Sequence, residues 1–532
     1  MSILRVNFLR RHAFIVALLV VIGAARFAIL FASQTHVHSD EAIIGLMGKH
    51  IAEGRYFPFY MYGQPYNAGA SGEAYLAAIP FKLFGVGVIA LKSVIVVLSL
   101  FCLLLFYRMV RALYDERVAN FAAIAFAVAP SLLKWHFQVR GYSFYFLSIP
   151  VLLICFGRIA SMTRPKTRDV ILFGIVSGLS VWCLELSLTL IAALWILLLL
   201  ARKMSILNGG LALAGFVAGY APAIVYNFTH SFANWQTVFE NKTGGAFGNG
   251  LAVLARPANF YQIFGREMPK FFGSDTVLWY YPERPWIGFV FYAVAIVAIT
   301  AALWPFIRRP EKIRALFSRA ALDTDHGKDV AMVAMTSACA VPYLVAPIPT
   351  ASYFLGGIFF LSILTGRLVA KCFASATTLS RAAGALITMS ILTAGIGAMI
   401  RVAQRNEIET LTLCDGGNSY CMARIPGADI DRVERHLSEH HITSAWTTVS
   451  FTYPLLFETC ETVAIADEIF GWKHNVFPPA IPAARPSHEH PPVFIIESDF
   501  PMRHDVEEKL NEAAGAPPLV AEYGTLAVIE QR

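Results

Sequence analysis

Apolar stretches close to the length that crosses a bilayer recur from residue 13 to about residue 400, and few folds are open to a chain built this way. Runs bounded by charges, Pro or Gly give about eleven candidate spans, at 13–32, 87–107, 118–133, 143–160, 169–184, 186–201, 208–228, 286–307, 329–347, 353–371 and 382–400. Composition agrees: 15 % of the 532 residues are charged, against roughly 25 % in a soluble domain. A soluble enzyme, a single-span receptor and a disordered scaffold are excluded, and the expected fold is an α-helical polytopic membrane protein. The 43 Lys and Arg exceed the 36 Asp and Glu. These basic residues lie between the apolar runs, so the excess reflects membrane topology and not a nucleic-acid partner.

With Arg5, Arg10 and Arg11 in the cytoplasm, Arg108, Arg111, Arg117, Arg158, Arg164, Lys166, Arg168, Arg202, Lys203, Arg308, Arg309, Lys312 and Arg314 fall on the same side. That is the positive-inside pattern. The opposite, external face then receives loops at 33–86 and 229–285 and everything after residue 400. The basic start of the first run resembles a signal peptide with cleavage near Ala32, but ten further spans already insert the chain, so the run is read as a retained span.

After residue 401 the composition changes, with frequent Asp, Glu, His and Arg. Val493 to Ile496 followed by Glu497-Ser498-Asp499 reads as a strand ending in a turn. Residues 1–401 are therefore expected to form a membrane module and 402–532 an extracytoplasmic α/β domain, with a Pro-rich loop from Pro478 to Pro492. Cys102, Cys155, Cys183, Cys339 and Cys372 fall in or beside spans as small packing residues. Cys414, Cys421 and Cys460 lie in the exported tail, where a disulfide is permitted; Cys414 with Cys421 is the favoured pair, and the pairing stays open. No CxxC or HExxH spacing occurs.

The richest segment is His36-Val37-His38-Ser39-Asp40-Glu41-Ala42, followed by a helical period through Ile44, Met47 and Ile51 that stops at Gly54. Ser39 is the expected N-cap, which sets Asp40 and Glu41 in the first turn, where the amide donors and the helix dipole favour ionised carboxylates. An acidic first turn is ordinary helix chemistry, and it is also a suitable setting for an anionic base. Asp40, Ile44, Met47 and Ile51 share one face, so the helix is expected to lie on the membrane surface with its apolar side down. Tyr56, Phe57, Phe59, Tyr60, Tyr62, Gln64, Pro65, Tyr66 and Asn67 follow. Such rings and amides suit both a membrane interface and a sugar site.

Asp40-Glu41-Ala42, Gly45-Leu46-Met47, Gly54, Gly63-Gln64-Pro65-Tyr66, Glu73-Ala74-Tyr75-Leu76 and Phe84-Gly85 together resemble the bacterial membrane glycosyltransferases of the GT-C superfamily. These enzymes use lipid-linked sugars, and their relatives include protein O-mannosyltransferases and lipid A aminoarabinose transferases. The resemblance is strongest over residues 1 to about 230. Gly219-Tyr220-Ala221-Pro222 with Tyr226-Asn227 resembles the family's seventh-span end, and Trp446 to Ile465 its soluble domain. The sequence departs from the resemblance at Ser352-Tyr353, where many members have Arg-Tyr at the position of an expected phosphate contact. The resemblance implies Asp40 as the catalytic base with Glu41 beside it orienting substrate or tuning charge, and a location in a bacterial inner membrane.

Lys134 to Tyr142 lies on the external side, where cations oppose the topology rule. Interfacial snorkelling is one account. The other is that Arg140, with Lys134, grips a lipid phosphate; Arg140-Gly141-Tyr142 also resembles a family position that lines the site. Arg26, Lys92 and Glu185 are costly if they face lipid. Arg26 and Lys92 are further phosphate candidates, and Glu185 is expected to pair with one of them. Tyr62, Gln64, Tyr66, Glu73 and Tyr142 complete the expected substrate-binding set. His230, Lys242, Arg256, Arg266 and Lys270 in the loop at 229–285 read as a solvated loop. The sequons at Asn227 and Asn241 are weak.

The expected chemistry follows. A polyprenyl-phosphate sugar keeps its chain in the bilayer and presents phosphate and sugar at the external surface. Asp40 takes the proton of an acceptor hydroxyl, on a glycan, lipid or protein, as it attacks the anomeric carbon. The leaving phosphate needs a fixed cation more than a general acid, and direct displacement inverts the centre, since a second carboxylate for a covalent route has no clear candidate. No cofactor is required; a divalent metal at Asp40, Glu41 and His38 is chemically admissible and not favoured. The alternative class is a lipid-linked sugar or polysaccharide transporter or flippase. Such proteins place ionisable groups at mid-membrane within repeated halves, and here no halves match and polar residues gather at one face.

Overall fold

The computed structural model describes residues 2–237, 268–272, 285–309, 322, 324–345, 351–414, 419–466, 476–478, 492–499 and 503–531. The loop cations Lys242, Arg256 and Arg266 and most of the Pro-rich stretch lie outside those residues, as do the side chains of Cys414 and Cys421.

Every one of the eleven apolar runs coincides with helix. In chain order the helices are α1 (Ser2–Ser33), α2 (Ser39–Ala52), α3 (Ala68–Phe84), α4 (Val88–Leu113), α5 (Glu116–Ala127), α6 (Tyr142–Ser161), α7 (Thr167–Cys183), α8 (Ser187–Leu200), α9 (Ile206–Thr229), α10 (Pro285–Arg308), α11 (Asp325–Val345), α12 (Gly357–Ala374) and α13 (Thr378–Gln404). Among the described residues seven helices are long and apolar enough to cross a membrane, and an eighth span results if α5 and the bent segment Pro130–His136 count as one. The other three runs, on α7, α8 and α11, are shorter or more polar helices. The division near Trp182 and Glu185 is real, since α7 ends at Cys183 and α8 begins at Ser187.

Lipid supplies no hydrophobic drive between helices, so close packing needs small residues. In α7 and α9, Gly174 and Gly178 face Gly215 and Gly219 so closely that a Cβ at Gly174 would sit 2.1 Å from the Ala212 carbonyl oxygen. At the end of the bundle away from the first loop, the buried Asp329 carboxylate binds Lys371 at 2.9 Å and Tyr114 at 3.2 Å.

The tail begins with an antiparallel hairpin, β1 (Glu407–Cys414) and β2 (Ser419–Pro426). Then follow α14 (Gly427–Glu439), β3 (Ser444–Thr447), α15 (Val449–Glu458), β4 (Ala464–Ala466), β5 (Val493–Glu497), α16 (Arg503–Ala514), β6 (Leu519–Tyr523) and β7 (Leu526–Glu530). The five-stranded sheet has order β4-β3-β5-β7-β6. Strands β3, β4 and β5 run parallel, and β7 is antiparallel to both β5 and β6. This is an α/β sheet, with β5 on the stretch read as a strand from sequence.

The tail docks onto the first loop, and here one expectation is corrected. Helix α2 does not lie open on a membrane surface: residues on most of its circumference, from Glu41 to Gly48, are buried. Phe457 of α15 sits against Gly45, where a Cβ would come within 2.6 Å of the ring. Glu458 accepts hydrogen bonds from the Val37 amide at 3.0 Å and pairs with His36 Nδ1 at 3.0 Å. Glu461 pairs with Lys49 and lies 3.2 Å from His50 Nε2. Burial alone would raise the Glu461 carboxyl, but the hydrogen bonds and charges of His50 and Lys49 hold it at about 2.

Gly45→Val is therefore expected to push Phe457 out and loosen the tail. Limited proteolysis of the detergent-purified protein should release fragments cut near residue 402 many times faster than in wild type. An unchanged cleavage rate would contradict this packing.

Candidate functional site

The start of α2 is organised by two side chains that look inward. His38, not Ser39, is the N-cap: its Nδ1 accepts from the Asp40 amide at 3.2 Å. A ring nitrogen does the work of a cap oxygen, and Ser39 is taken into the first turn. Glu41 closes the capping box, its Oε2 accepting from the His38 amide at 3.2 Å. The same carboxylate, 2 % exposed, accepts from the Val139 amide at 3.0 Å and lies 3.4 Å from Lys92 Nζ. Lys92 in turn donates to the His36 carbonyl at 2.6 Å. Glu41 is thus occupied holding α2, α4 and the 134–141 segment together.

Asp40 points the other way. Its side chain is 43 % exposed and its carboxylate lies 3.9 Å from Arg140 Nε. Arg140 Nε is 2.9 Å from His38 Nε2. Burial, followed by the charges of Arg140, Lys134 and Lys92, lowers the His38 pKa well below its ordinary value. A neutral imidazole accepts at only one nitrogen, so the Asp40 amide and Arg140 compete for it, and Arg140 is the partner an incoming anion can draw away.

A cavity of about 130 Å³ opens beside this group, lined by Lys92, Lys134, Arg140, Arg401, Arg405 and Arg424 together with His36, His38, Glu41 and Glu407. Six cations face two carboxylates, so the cavity suits an anion. Three of those cations, Arg401, Arg405 and Arg424, come from the end of α13 and from β2. The sequence carried a signal for two of them: Arg401 and Arg405 follow the last span on the side expected to be external, and so break the topology rule as Arg140 does.

Other expected site residues lie elsewhere. Arg26 is fully buried inside the bundle, donating to Ser99 Oγ at 2.7 Å and the Ala127 carbonyl at 3.3 Å, and does not line the cavity. Glu185 does not meet Arg26 or Lys92; its charge acts on Tyr60, Tyr66 and Tyr220. Tyr142 stacks in an aromatic cluster with its ring 4.4 Å from Trp135. Tyr62 bonds His50 at 3.2 Å beside the tail and is buried there. Tyr66 stays near Asp40: burial raises its hydroxyl, and the charge of Asp40 adds to that. Gln64 sits half-buried in the turn after Met61, its amide donating to the Met61 carbonyl at 3.1 Å. Of the two carboxylates, Glu41 is turned inward and Asp40 outward.

Glu73 is a positioning residue. Its carboxyl, 1 % exposed, accepts from the amides of Gly141 at 2.7 Å and Ser143 at 3.0 Å, capping α6 from a distance. Gly141 has φ +79°, and a Cβ there would collide with Asn67 Oδ1 at 2.2 Å, so only glycine permits the turn that delivers Arg140. Asn67 Nδ2 also holds the Arg140 carbonyl, at 2.9 Å.

No protein-family model matches the chain, and no curated protein matches it in sequence. Its fold, a polytopic helical module capped by a small α/β tail, is shared with solved membrane proteins. It superposes on ArnT from Cupriavidus metallidurans bound to undecaprenyl phosphate with TM-score 0.59 at 12 % identity, over 97 % of this chain and 98 % of that one. The apo state of the same protein gives 0.60 at the same identity and shares. The archaeal oligosaccharyltransferase AglB from Archaeoglobus fulgidus, in complex with an inhibitory peptide and a dolichol-phosphate, gives 0.47 at 12 % identity over 86 % of this chain and 65 % of that one.

Burial raises the Glu73 carboxyl to about 7 against the hydrogen bonds from Ser143 and Gly141 that lower it. The folded state therefore holds a proton that the unfolded chain releases near 4.5. The associated stability is complete below that value and is lost as pH rises through about 7, on the order of 3 kcal/mol in all. Glu73→Gln should flatten the dependence of Tm on pH between 4.5 and 7 in detergent; an unchanged slope would contradict a buried, protonated Glu73.

Proposed function

We propose that this protein is a membrane glycosyltransferase that moves a sugar from a polyprenyl-phosphate donor to an acceptor hydroxyl at the external face of the bacterial inner membrane. The observation that carries the reading is Arg140, which stands between a half-exposed carboxylate and a cavity lined by six cations. Base and anion site are thus joined through one side chain.

In this reading the donor phosphate enters the cavity, where Lys92, Lys134, Arg140 and the arginines of α13 and β2 meet its charge. Arg140 leaves His38 for the phosphate, and Asp40 accepts the proton of the attacking hydroxyl as the bond from anomeric carbon to phosphate oxygen breaks. The cations stabilise the charge that builds on the leaving oxygens, so no general acid is needed and the reading calls for no metal at Asp40. The anomeric centre inverts. The likeness to ArnT, which was solved with undecaprenyl phosphate, supports a polyprenyl carrier.

An apolar groove of about 520 Å³ fits the carrier's chain. Phe59, Tyr75, Leu147, Val151, Leu179 and Trp182 are among its walls, on the loop before α3 and on α3, α6 and α7. Helix α6, which forms one of its walls, starts two residues after Arg140, which lines the cavity. A prenyl tail in the groove and a phosphate in the cavity are therefore compatible with one ligand.

Transfer of radiolabelled sugar from membrane polyprenyl phosphate to endogenous acceptors tests the reading. Asp40→Asn, present at equal folded amounts, should lose roughly 10²- to 10⁴-fold in rate. Arg140→Gln should weaken binding of polyprenyl phosphate as well as slow transfer. Equal transfer by wild type and Asp40→Asn would remove Asp40 as base, and absence of transfer by wild type, with sugar-lipid translocation in its place, would favour the transporter.

A further inference from the structure

Far from the first loop, the tail brings together His436 and His440 of α14 and Glu530 of β7. One ligating atom from each lies within 4.8 Å of the others, and among the described residues this is the group of His, Cys, Asp and Glu side chains placed to hold a metal. We infer that these three side chains form a zinc-binding site, independent of the transfer centre, that ties α14 to the last strand of the sheet.

The chemistry of the donor set fits. Two imidazoles and a carboxylate are borderline ligands suited to Zn²⁺, and three protein ligands leave a fourth tetrahedral position to water. His436 and His440 stand at i and i+4, so both project from one face of α14. Their rings are stacked with centroids 4.1 Å apart. Glu530 enters from the sheet, its Oε1 2.6 Å from His436 Nε2. Zinc–ligand distances of about 2.0–2.2 Å require the donor atoms to stand a little over 3 Å apart. A small rotation of the exposed His440 and an opening of the His436–Glu530 contact meet that requirement.

A second contact sets the ring. Tyr523 Oη of β6 lies 2.7 Å from His436 Nδ1. Metal-bound histidines hold their remote nitrogen by a hydrogen bond, which fixes ring and tautomer. With Nδ1–H donated to Tyr523 Oη, the Nε2 lone pair is directed to the metal; without metal, the hydroxyl turns to donate to Nδ1, and Nε2–H donates to Glu530. His436 is buried and its ring cannot swing away, whereas His440 is exposed and gives the ion its route in.

The N-terminal end of the same helix abuts the first loop. Gly427 packs on His36, and Asp431 lies 3.6 Å from His36 Nε2. An ion bound at the far end would brace the element that backs the His36 segment.

The test is zinc titration by isothermal calorimetry of the full-length protein in detergent after EDTA treatment. Wild type is expected to bind one Zn²⁺ per chain and to melt at a higher temperature with zinc than without. His440→Ala and Glu530→Gln should weaken binding by about tenfold or more and abolish the thermal shift, and Tyr523→Phe should weaken it roughly 10- to 100-fold. Co²⁺ in place of zinc should give the visible absorption of a four-coordinate site in wild type alone. His440 is exposed, so its variant decides the matter even if Glu530→Gln misfolds. Zinc binding equal in wild type and His440→Ala, or no binding by wild type, would overturn the proposal; sugar transfer is not among the readouts.

Discussion

The site depends on one buried carboxylate. Glu41 is almost fully removed from water, and a charge in that position is tolerated only when its partners are supplied in full. They come from three parts of the chain: the His38 amide, the Val139 amide and the Lys92 ammonium. Once these are gathered, the start of α2 can face only one way. Asp40, the next residue back, is turned outward toward Arg140, and His38 is trapped between the Asp40 amide and the Arg140 guanidinium. Glu73 does the same for the other wall, anchoring the turn that delivers Arg140. Buried acids therefore aim the exposed one.

The membrane explains why the reactive groups need so little of the chain. In the proposed reading a prenyl-anchored donor diffuses in two dimensions and arrives with its phosphate at one depth, and the groove between α3, α6 and α7 and the cation-lined cavity are the two features that orient it. The tail completes the cavity. Arg405 and Glu407 lie where α13 passes into β1, Arg424 lies on β2, and Phe457 and Glu458 of α15 hold α2 and the His36 segment in place.

Much of this was legible in the sequence, and the limits have physical causes. Apolar length located all eleven helices, because a lipid-facing segment has no other way to satisfy its backbone. Asp40 stood out by its helix-start setting and Arg140 by its violation of the charge rule. Arg26 obeyed the same cost argument but met it differently, by bonding Ser99 and a backbone carbonyl inside the bundle; sequence cannot tell a buried cation held by its neighbours from one that lines a cavity. Glu185 was expected to pair with Arg26 or Lys92, and its charge acts on Tyr60, Tyr66 and Tyr220. Glu41 and Glu73 read as site residues because acids in one loop look alike in sequence, whereas their bonds to amides about 100 and about 70 residues further along the chain are tertiary facts. Arg424 and the docking of α2 under α15 arise from contacts across some four hundred residues and left no local trace.

The central claim is that the cation-lined cavity beside Asp40 receives the phosphate of a polyprenyl carrier. A cryo-EM structure of the detergent- or nanodisc-embedded protein with added polyprenyl phosphate tests it most directly. The account predicts phosphate density among Lys92, Arg140 and Arg401, Arg140 displaced from His38, and chain density running into the groove between α3, α6 and α7. Phosphate bound elsewhere, with Arg140 still on His38, would contradict it.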